Sequence, residues 1–148
     1  EHEMIFKQHT DIKFIAATGS RKHQSLILVH GLIRTHHSMK HLGKHLSQQG
    51  YDVYLYDYPS TKYSIETHSQ NFLKMLNRII KQHNHLAERS ISIVTHSLGG
   101  IIARLSLNSL SDKKSLLFDK LILLTPPNQG SKLARIMAKT LPFWLEMG

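Results

Sequence analysis

Four short runs of consecutive apolar residues recur along this chain, and they constrain its fold more than any other feature. A strand with one face in water alternates apolar and polar residues, whereas a strand covered on both faces is apolar throughout. The runs therefore predict strands inside a parallel sheet. They are Leu26–Val29, Val53–Tyr56, Ile91–Val94 and Leu121–Leu124.

The segments between these runs have the spacing of amphipathic helices. The first has its apolar residues at helical spacing before Gly50, the second keeps that spacing from Ile65 to Ile80, and the third begins near Ile101. Ser64 is a suitable cap for the second helix. Strands that alternate with helices form right-handed crossover units. The sequence thus predicts an α/β fold, with a mostly parallel sheet and helices on both faces.

We expect a single domain over residues 1–148, because this length suffices for one core and is too short for two. Hydrophobic residues make up 41% and charged residues 20%, which excludes a collagen-like or globally disordered chain. Before the first buried run, Met4–Lys7 and Ile12–Ala16 predict a hairpin. After the last one, Leu133–Gly148 predicts another helix, broken at Pro142.

The third buried run leads through a serine directly into a helix, within Ile91–Gly100. Such a turn, a nucleophile elbow, holds the Ser in a strained conformation that exposes its hydroxyl at the sheet edge. Its neighbours must be small. Gly99 and Gly100 meet this need, but Thr95 stands where Gly is usual. We predict Ser97 as a nucleophile; the alternative is a turn that only joins strand and helix.

The first buried run ends at His30-Gly31-Leu32, where a backbone amide could face that Ser. Acyl transfer builds negative charge on the former carbonyl oxygen, and removing one fixed donor there costs roughly 3–4 kcal/mol. The predicted donors of this oxyanion hole are the backbone N–H groups of Leu98 and Leu32. We expect His30 to hold the loop by hydrogen bonding; the alternative is an ordinary turn after a strand.

These motifs resemble the α/β-hydrolase superfamily, and within it the lipase-like serine esterases. The resemblance covers about residues 25–135 and rests on Val29–Leu32, Thr95–Gly100 and Leu124–Ser131, with Tyr56–Ser60 similar to a lipase loop. It implies a hydrolase that cleaves an ester or amide bond of a lipid or other acyl substrate through an acyl-enzyme on Ser97. It implies no metal or organic cofactor.

The general base is missing from the place where this family has it. The family order is Ser, acid, His, whereas all 12 His lie at or before position 96. His96 adjoins Ser97, but consecutive residues diverge at an elbow, so we do not expect it to be the base. The later acids Asp112, Asp119 and Glu146 are expected to be surface charges. We therefore expect an amino-terminal portion of the hydrolase fold, incomplete at its carboxyl end.

Two other functions are left open. One is a non-catalytic or degraded α/β-hydrolase-like module that binds an acyl ligand, a membrane surface or a protein. The other is an acyltransferase or thioesterase that uses the same Ser.

A candidate metal site lies on the first predicted helix, where His37, His41 and His45 recur every four residues and could face a metal. No acid or Cys lies close in sequence to complete the ligand shell, so we expect a solvated helix face.

The net charge is +9, from 19 Lys and Arg against 10 Asp and Glu, which favours anionic partners. The basic residues are scattered and no nucleic-acid-binding module is present. We therefore expect no nucleic acid, but peripheral contact with an anionic membrane surface and self-association through the sheet edge left open after Leu121–Leu124. No export signal or membrane-spanning run is visible, which leaves the compartment open with the cytoplasm slightly favoured.

Overall fold

A computed structural model describes residues 10–31, 39–82, 87–124 and 145–147. In these ranges, no helix is long and apolar enough to cross a membrane. The elements in chain order are β1 (Asp11–Ile15), β2 (Ser25–Val29), α1 (Lys40–Gln48), β3 (Asp52–Asp57), α2 (Ile65–Gln82), β4 (Ile91–His96), α3 (Leu98–Asn108), α4 (Asp112–Ser115), β5 (Phe118–Leu124) and β6 (Leu145–Met147). All four buried runs are strands and all three helical segments are helices, as predicted.

The strands form one sheet in the order β1-β3-β2-β4-β5-β6. β1 pairs antiparallel with β3, and every other neighbouring pair is parallel. The prediction of a mostly parallel sheet is thus confirmed. Because they are parallel, the strands β2, β3, β4 and β5 all have their carboxyl ends at the same end of the sheet. Residues 30 and 97 lie at this end.

The central strand β2 shows why its sequence is apolar at consecutive positions. Ile27 and Val29 lie in a core cluster with α2 and α3, whereas Leu26 and Leu28 lie in a second cluster with Met39 and the apolar side of α1. Each face of the sheet is therefore covered by helix. The predicted α/β architecture is confirmed on both faces.

Local signals at the helix ends also act as predicted. The Ser64 hydroxyl accepts a hydrogen bond of 3.1 Å from the backbone N–H of Thr67, in the first turn of α2. Gly50, after α1, has a φ of +104°, and a Cβ there would lie 2.1 Å from the Ser20 carbonyl oxygen. Only Gly fits a position with both this backbone angle and this contact.

The two ends of the chain differ from expectation. Of the predicted hairpin, Met4–Lys7 lies outside the described residues, and the second run is β1, which pairs with β3. The predicted carboxyl-terminal helix is wrong at Leu145–Met147, which is a strand paired with Leu121–Leu123 of β5. Pairing satisfies backbone groups that β5 would otherwise leave exposed, and this outweighs local helix propensity. Among the described strands, β6 rather than β5 is therefore the outermost on that side of the sheet.

Candidate active site

Ser97 occupies the sharp turn between β4 and α3. Its backbone has φ 55° and ψ −122°, and its side chain makes no capping hydrogen bond to the helix that it precedes. The backbone N–H of Gly100 closes the turn by donating to the Ser97 carbonyl oxygen at 2.9 Å. A residue other than Gly in such a backbone region costs about 1–3 kcal/mol, which the surrounding strand and helix must supply.

The turn is held tightly against the end of β2. A Cβ built on Gly99 would lie 2.9 Å from the His30 carbonyl oxygen and 3.0 Å from that of Val29. Any side chain at position 99 would therefore push α3 away from a strand that is buried along its whole length. This contact explains the second small position of the elbow.

Thr95 occupies the first small position without obstructing the turn. Its side chain is fully buried, and its hydroxyl donates to the Ile122 carbonyl oxygen of β5 at 3.3 Å. The larger side chain therefore contacts the neighbouring strand β5. The departure from the usual Gly at this position is accommodated within the sheet.

Gly31 brings the loop after β2 next to Ser97. A Cβ on Gly31 would lie 3.0 Å from Ser97 Cβ and 3.0 Å from the His96 carbonyl oxygen. Leu32, the predicted second oxyanion donor, lies outside the described residues. The predicted first donor, Leu98, opens α3, and the positive end of the helix dipole lies at this end.

His30 is completely buried and lies within a set of polar contacts. Its Nδ1 lies 3.0 Å from the Gly31 carbonyl oxygen, and its Nε2 lies 3.0 Å from Asp57 Oδ1. The backbone N–H of Tyr58 points at the same Nε2 from 3.2 Å, and the Tyr58 hydroxyl donates to the His30 carbonyl oxygen at 2.8 Å. The Tyr58 ring stacks on the imidazole with the ring centroids 4.2 Å apart.

Burial shifts the pKa values of two side chains in this region. Burial raises the pKa of Tyr58 well above its usual value of 10, so its hydroxyl keeps the proton that it donates. His68 packs edge-on against Tyr58, with the ring centroids 5.1 Å apart, and burial lowers the pKa of this imidazole below 6.5. The lowered pKa favours the neutral form of the His68 imidazole beside the Tyr58 ring.

From the sequence, Asp57 and Tyr58 are predicted only as part of the lipase-like loop Tyr56–Ser60, with no individual roles. One signal was available: Asp57 and Tyr58 directly follow a buried run, as His30 does. Because β2 and β3 are parallel neighbours, residues that follow them lie side by side. Once the pairing of β2 with β3 is known, this rule places Asp57 and Tyr58 beside His30.

The other candidates lie away from Ser97. Asp112 begins α4, and Asp119, near the start of β5, lies 3.7 Å from Arg89 Nε; both are at the opposite edge of the sheet. A cavity of about 670 Å³ opens at that same far edge, beside α3 and α4. The side chain of Glu146 lies outside the described part of the chain.

Two of the three histidines spaced along the predicted helix lie on α1. His41 and His45 are exposed on this helix, and His37 lies outside the described residues. Across the part of the chain that the structure describes, no three His, Asp or Glu side chains are grouped to hold a metal ion.

Known proteins were compared with this chain by sequence and by structure. The sequence model of the alpha/beta hydrolase fold family matches residues 24–147. An esterase from Exiguobacterium antarcticum is 19% identical, with a TM-score of 0.57 over 78% of this chain and 40% of that one. Thermogutta terrifontis esterase 2, phosphonylated by cyclosarin, is 12% identical, with a TM-score of 0.62 over 79% of this chain and 51% of that one.

An epoxide hydrolase from Vigna radiata is 15% identical, with a TM-score of 0.55 over 80% of this chain and 37% of that one. At these identities the likeness is one of fold. The chain spans about half or less of the length of these three structures. The comparison with curated proteins gives no match.

Proposed function

This chain belongs to the α/β-hydrolase fold family, and from that premise we propose that it is a serine hydrolase that cleaves carboxylic esters through Ser97. One observation supports this most strongly. Ser97 stands at φ 55° and ψ −122° on the turn from β4 into α3, with Gly31 packed against its Cβ. Strain of this kind at a serine, at the sheet edge, is typical of a nucleophile.

In the proposed reaction, Ser97 Oγ attacks the acyl carbon of the ester and gives its proton to a general base, which later passes that proton to the leaving alcohol. The carbonyl oxygen becomes an oxyanion, which the backbone N–H groups of Leu98 and Leu32 stabilise. The tetrahedral intermediate collapses, the alcohol leaves with a proton, and the acyl group stays on Ser97 as an ester. Water then releases the carboxylic acid by the same steps.

The chemistry of the nucleophile favours an acyl substrate. A serine hydroxyl that attacks an acyl carbon forms an ester, which water can cleave again to free the enzyme. Esterases and an epoxide hydrolase both share this fold, so the fold by itself does not choose between them. We propose esters of lipids or of other acyl groups, and the charge of +9 would favour contact with an anionic lipid surface.

The proton of Ser97 needs an acceptor, and all 12 His lie at or before position 96. We therefore expect the 148-residue chain to hydrolyse p-nitrophenyl esters more slowly than about 1 per second, from the oxyanion hole alone. Turnover above that rate that disappears in Ser97→Ala would show that a base lies within these residues.

A fluorophosphonate probe tests the nucleophile independently of turnover. We expect mass spectrometry to place the covalent label on Ser97, and the label to be absent in Ser97→Ala. Ser92 should carry no label, because it is buried within the same strand β4 and its hydroxyl accepts a hydrogen bond from the Lys120 N–H. Label on a different Ser, or equal labelling of Ser97→Ala, would contradict the proposal.

A further inference from the structure

We propose that Asp57 and Tyr58, at the carboxyl end of β3, are positioning residues that hold His30 and Gly31 beside the nucleophile. This inference rests on the proposed function, because it assigns both residues to the oxyanion side of the Ser97 site. The two residues follow a strand that is the parallel neighbour of β2. They reach the loop from a different part of the chain, 27 and 28 residues further along than His30.

Tyr58 contacts His30 in three ways. Its backbone N–H points at the imidazole Nε2 from 3.2 Å, its hydroxyl donates to the His30 carbonyl oxygen at 2.8 Å, and the two rings stack with an interplanar angle of 14°. Both side chains are buried, so water does not compete for these bonds. The contacts fix the imidazole and the backbone of His30 together.

A hydrogen bond that fixes a backbone carbonyl group also fixes the N–H group of the same peptide bond. A peptide bond is planar and trans, so its N–H points opposite to its carbonyl oxygen. The Tyr58 hydroxyl therefore sets the direction of the Gly31 N–H through the His30 carbonyl. His30 Nδ1 in turn binds the Gly31 carbonyl and fixes the peptide bond that follows Gly31. An oxyanion beside Ser97 needs N–H groups that face it and carbonyl oxygens that face away.

Asp57 supplies a second partner for the imidazole. A neutral His30 with its proton on Nδ1 accepts the Tyr58 N–H at Nε2, whereas a protonated His30 donates from Nε2 to Asp57 Oδ1, 3.0 Å away. Nδ1 carries a proton in both forms and donates to the Gly31 carbonyl oxygen in both. The contact that holds Gly31 therefore does not depend on the charge of His30.

Tyr56 provides a matched control on the same strand. It is as deeply buried as Tyr58, and the two rings stack with centroids 5.7 Å apart. The Tyr56 hydroxyl has no hydrogen-bond partner among the described residues. Tyr56→Phe and Tyr58→Phe thus remove the same atom from neighbouring rings, but only the second breaks a bond to the loop.

The experiment measures the rate at which a fluorophosphonate labels Ser97, over a range of probe concentrations. We expect the limiting rate to fall about tenfold in Tyr58→Phe, because small displacements of positioned groups slow reactions by such factors. Asp57→Asn should slow labelling less, because the two Tyr58 bonds and the contact between Nδ1 and the Gly31 carbonyl oxygen remain in it. The probe concentration that gives half of the limiting rate should stay close to wild type. The melting temperature should fall by only a few degrees, because one buried hydrogen bond is lost, so labelling is measured well below the unfolding transition. Tyr56→Phe should label at the wild-type rate.

Hydrogen exchange at the amides of His30 and Gly31 tests the positioning role without any reaction. We expect faster exchange there in Tyr58→Phe, with Tyr56→Phe unchanged. Wild-type labelling and exchange in Tyr58→Phe, or equal effects in both variants, would overturn the inference. If wild type itself is not labelled at Ser97, the proposed function fails, and the exchange data alone decide whether Tyr58 holds the loop.

Discussion

Adding one methyl group at Gly99 should destabilise the protein, whereas the same change at Gly43 should not. Both glycines lie in helices that pack on the sheet, in α3 and α1 respectively. The Cβ of Gly99→Ala would meet two backbone carbonyl oxygens of the β2 end, at 2.9 and 3.0 Å. The Cβ of Gly43→Ala would meet side chains only, with Leu55 Cδ2 at 3.0 Å and Val53 Cγ1 at 3.3 Å.

The two contacts differ in how easily they can relax. A leucine methyl group can rotate away, whereas the carbonyl groups at Val29 and His30 belong to the buried end of β2 and its adjoining loop. Overpacking costs about 1–3 kcal/mol, and Ala in place of Gly in a helix contributes about 1 kcal/mol in the other direction. With the upper end of that range for the rigid backbone contacts of Gly99 and the lower end for the side-chain contacts of Gly43, we expect a net loss of about 2 kcal/mol for Gly99→Ala and about zero for Gly43→Ala.

Thermal and urea unfolding, followed by circular dichroism, measure this difference. For a domain of this size, about 2 kcal/mol corresponds to a fall in melting temperature of about 4–8 °C. The slope of the urea transition should be equal in both variants, since neither changes the surface exposed on unfolding. A loss in Gly43→Ala as large as that in Gly99→Ala would refute the reasoning, because the close approach of α3 to β2 would then have no special cost.

Three further predictions concern the same region. Ser97→Gly should be more stable than Ser97→Ala by about 1 kcal/mol in thermal unfolding, because Gly adopts a φ of 55° without strain; equal stability would show that the turn is not strained. Thr95→Gly should lose about 2 kcal/mol although it restores the usual motif, since it removes a buried side chain and its bond to Ile122; an unchanged urea midpoint would contradict this. The lowered pKa of His68 means that, as pH falls below 6.5, the unfolded chain takes up a proton before the folded protein does. Stability should therefore fall from pH 6.5 downward more steeply in wild type than in His68→Phe. If the urea midpoint falls by the same amount between pH 7.5 and pH 5 in both proteins, this prediction is wrong.

The fold could be predicted because each central strand carries its own evidence. A strand covered on both faces must be apolar at every position, so the run Leu26–Val29 indicates its environment without reference to the rest of the chain. Leu145–Met147 carries no such evidence. Three residues are too few to separate a strand from a helix by periodicity, and pairing with β5 decides their conformation.

In the candidate site, the residues set by local sequence could be predicted, whereas the contacts between distant parts of the chain could not. Ser97 and Gly99 could be identified because strand, turn and helix are continuous in sequence, and their spacing shows the geometry. The contacts of Asp57 and Tyr58 with His30 join two different strand ends and need the strand order β3-β2-β4 to be known. No composition or periodicity near residue 58 indicates that its hydroxyl binds a carbonyl at residue 30.

The two small positions of the elbow are under different constraints, and Thr95 shows the difference. Position 99 faces the end of β2 and the loop after it, where backbone atoms leave no room for a Cβ. Position 95 lies within β4, and its side chain reaches a carbonyl of the neighbouring strand β5. Close approach between helix and strand therefore requires Gly at position 99 only, because position 95 does not separate the two elements. A sequence search that demands Gly at both positions would miss an elbow that is sterically complete.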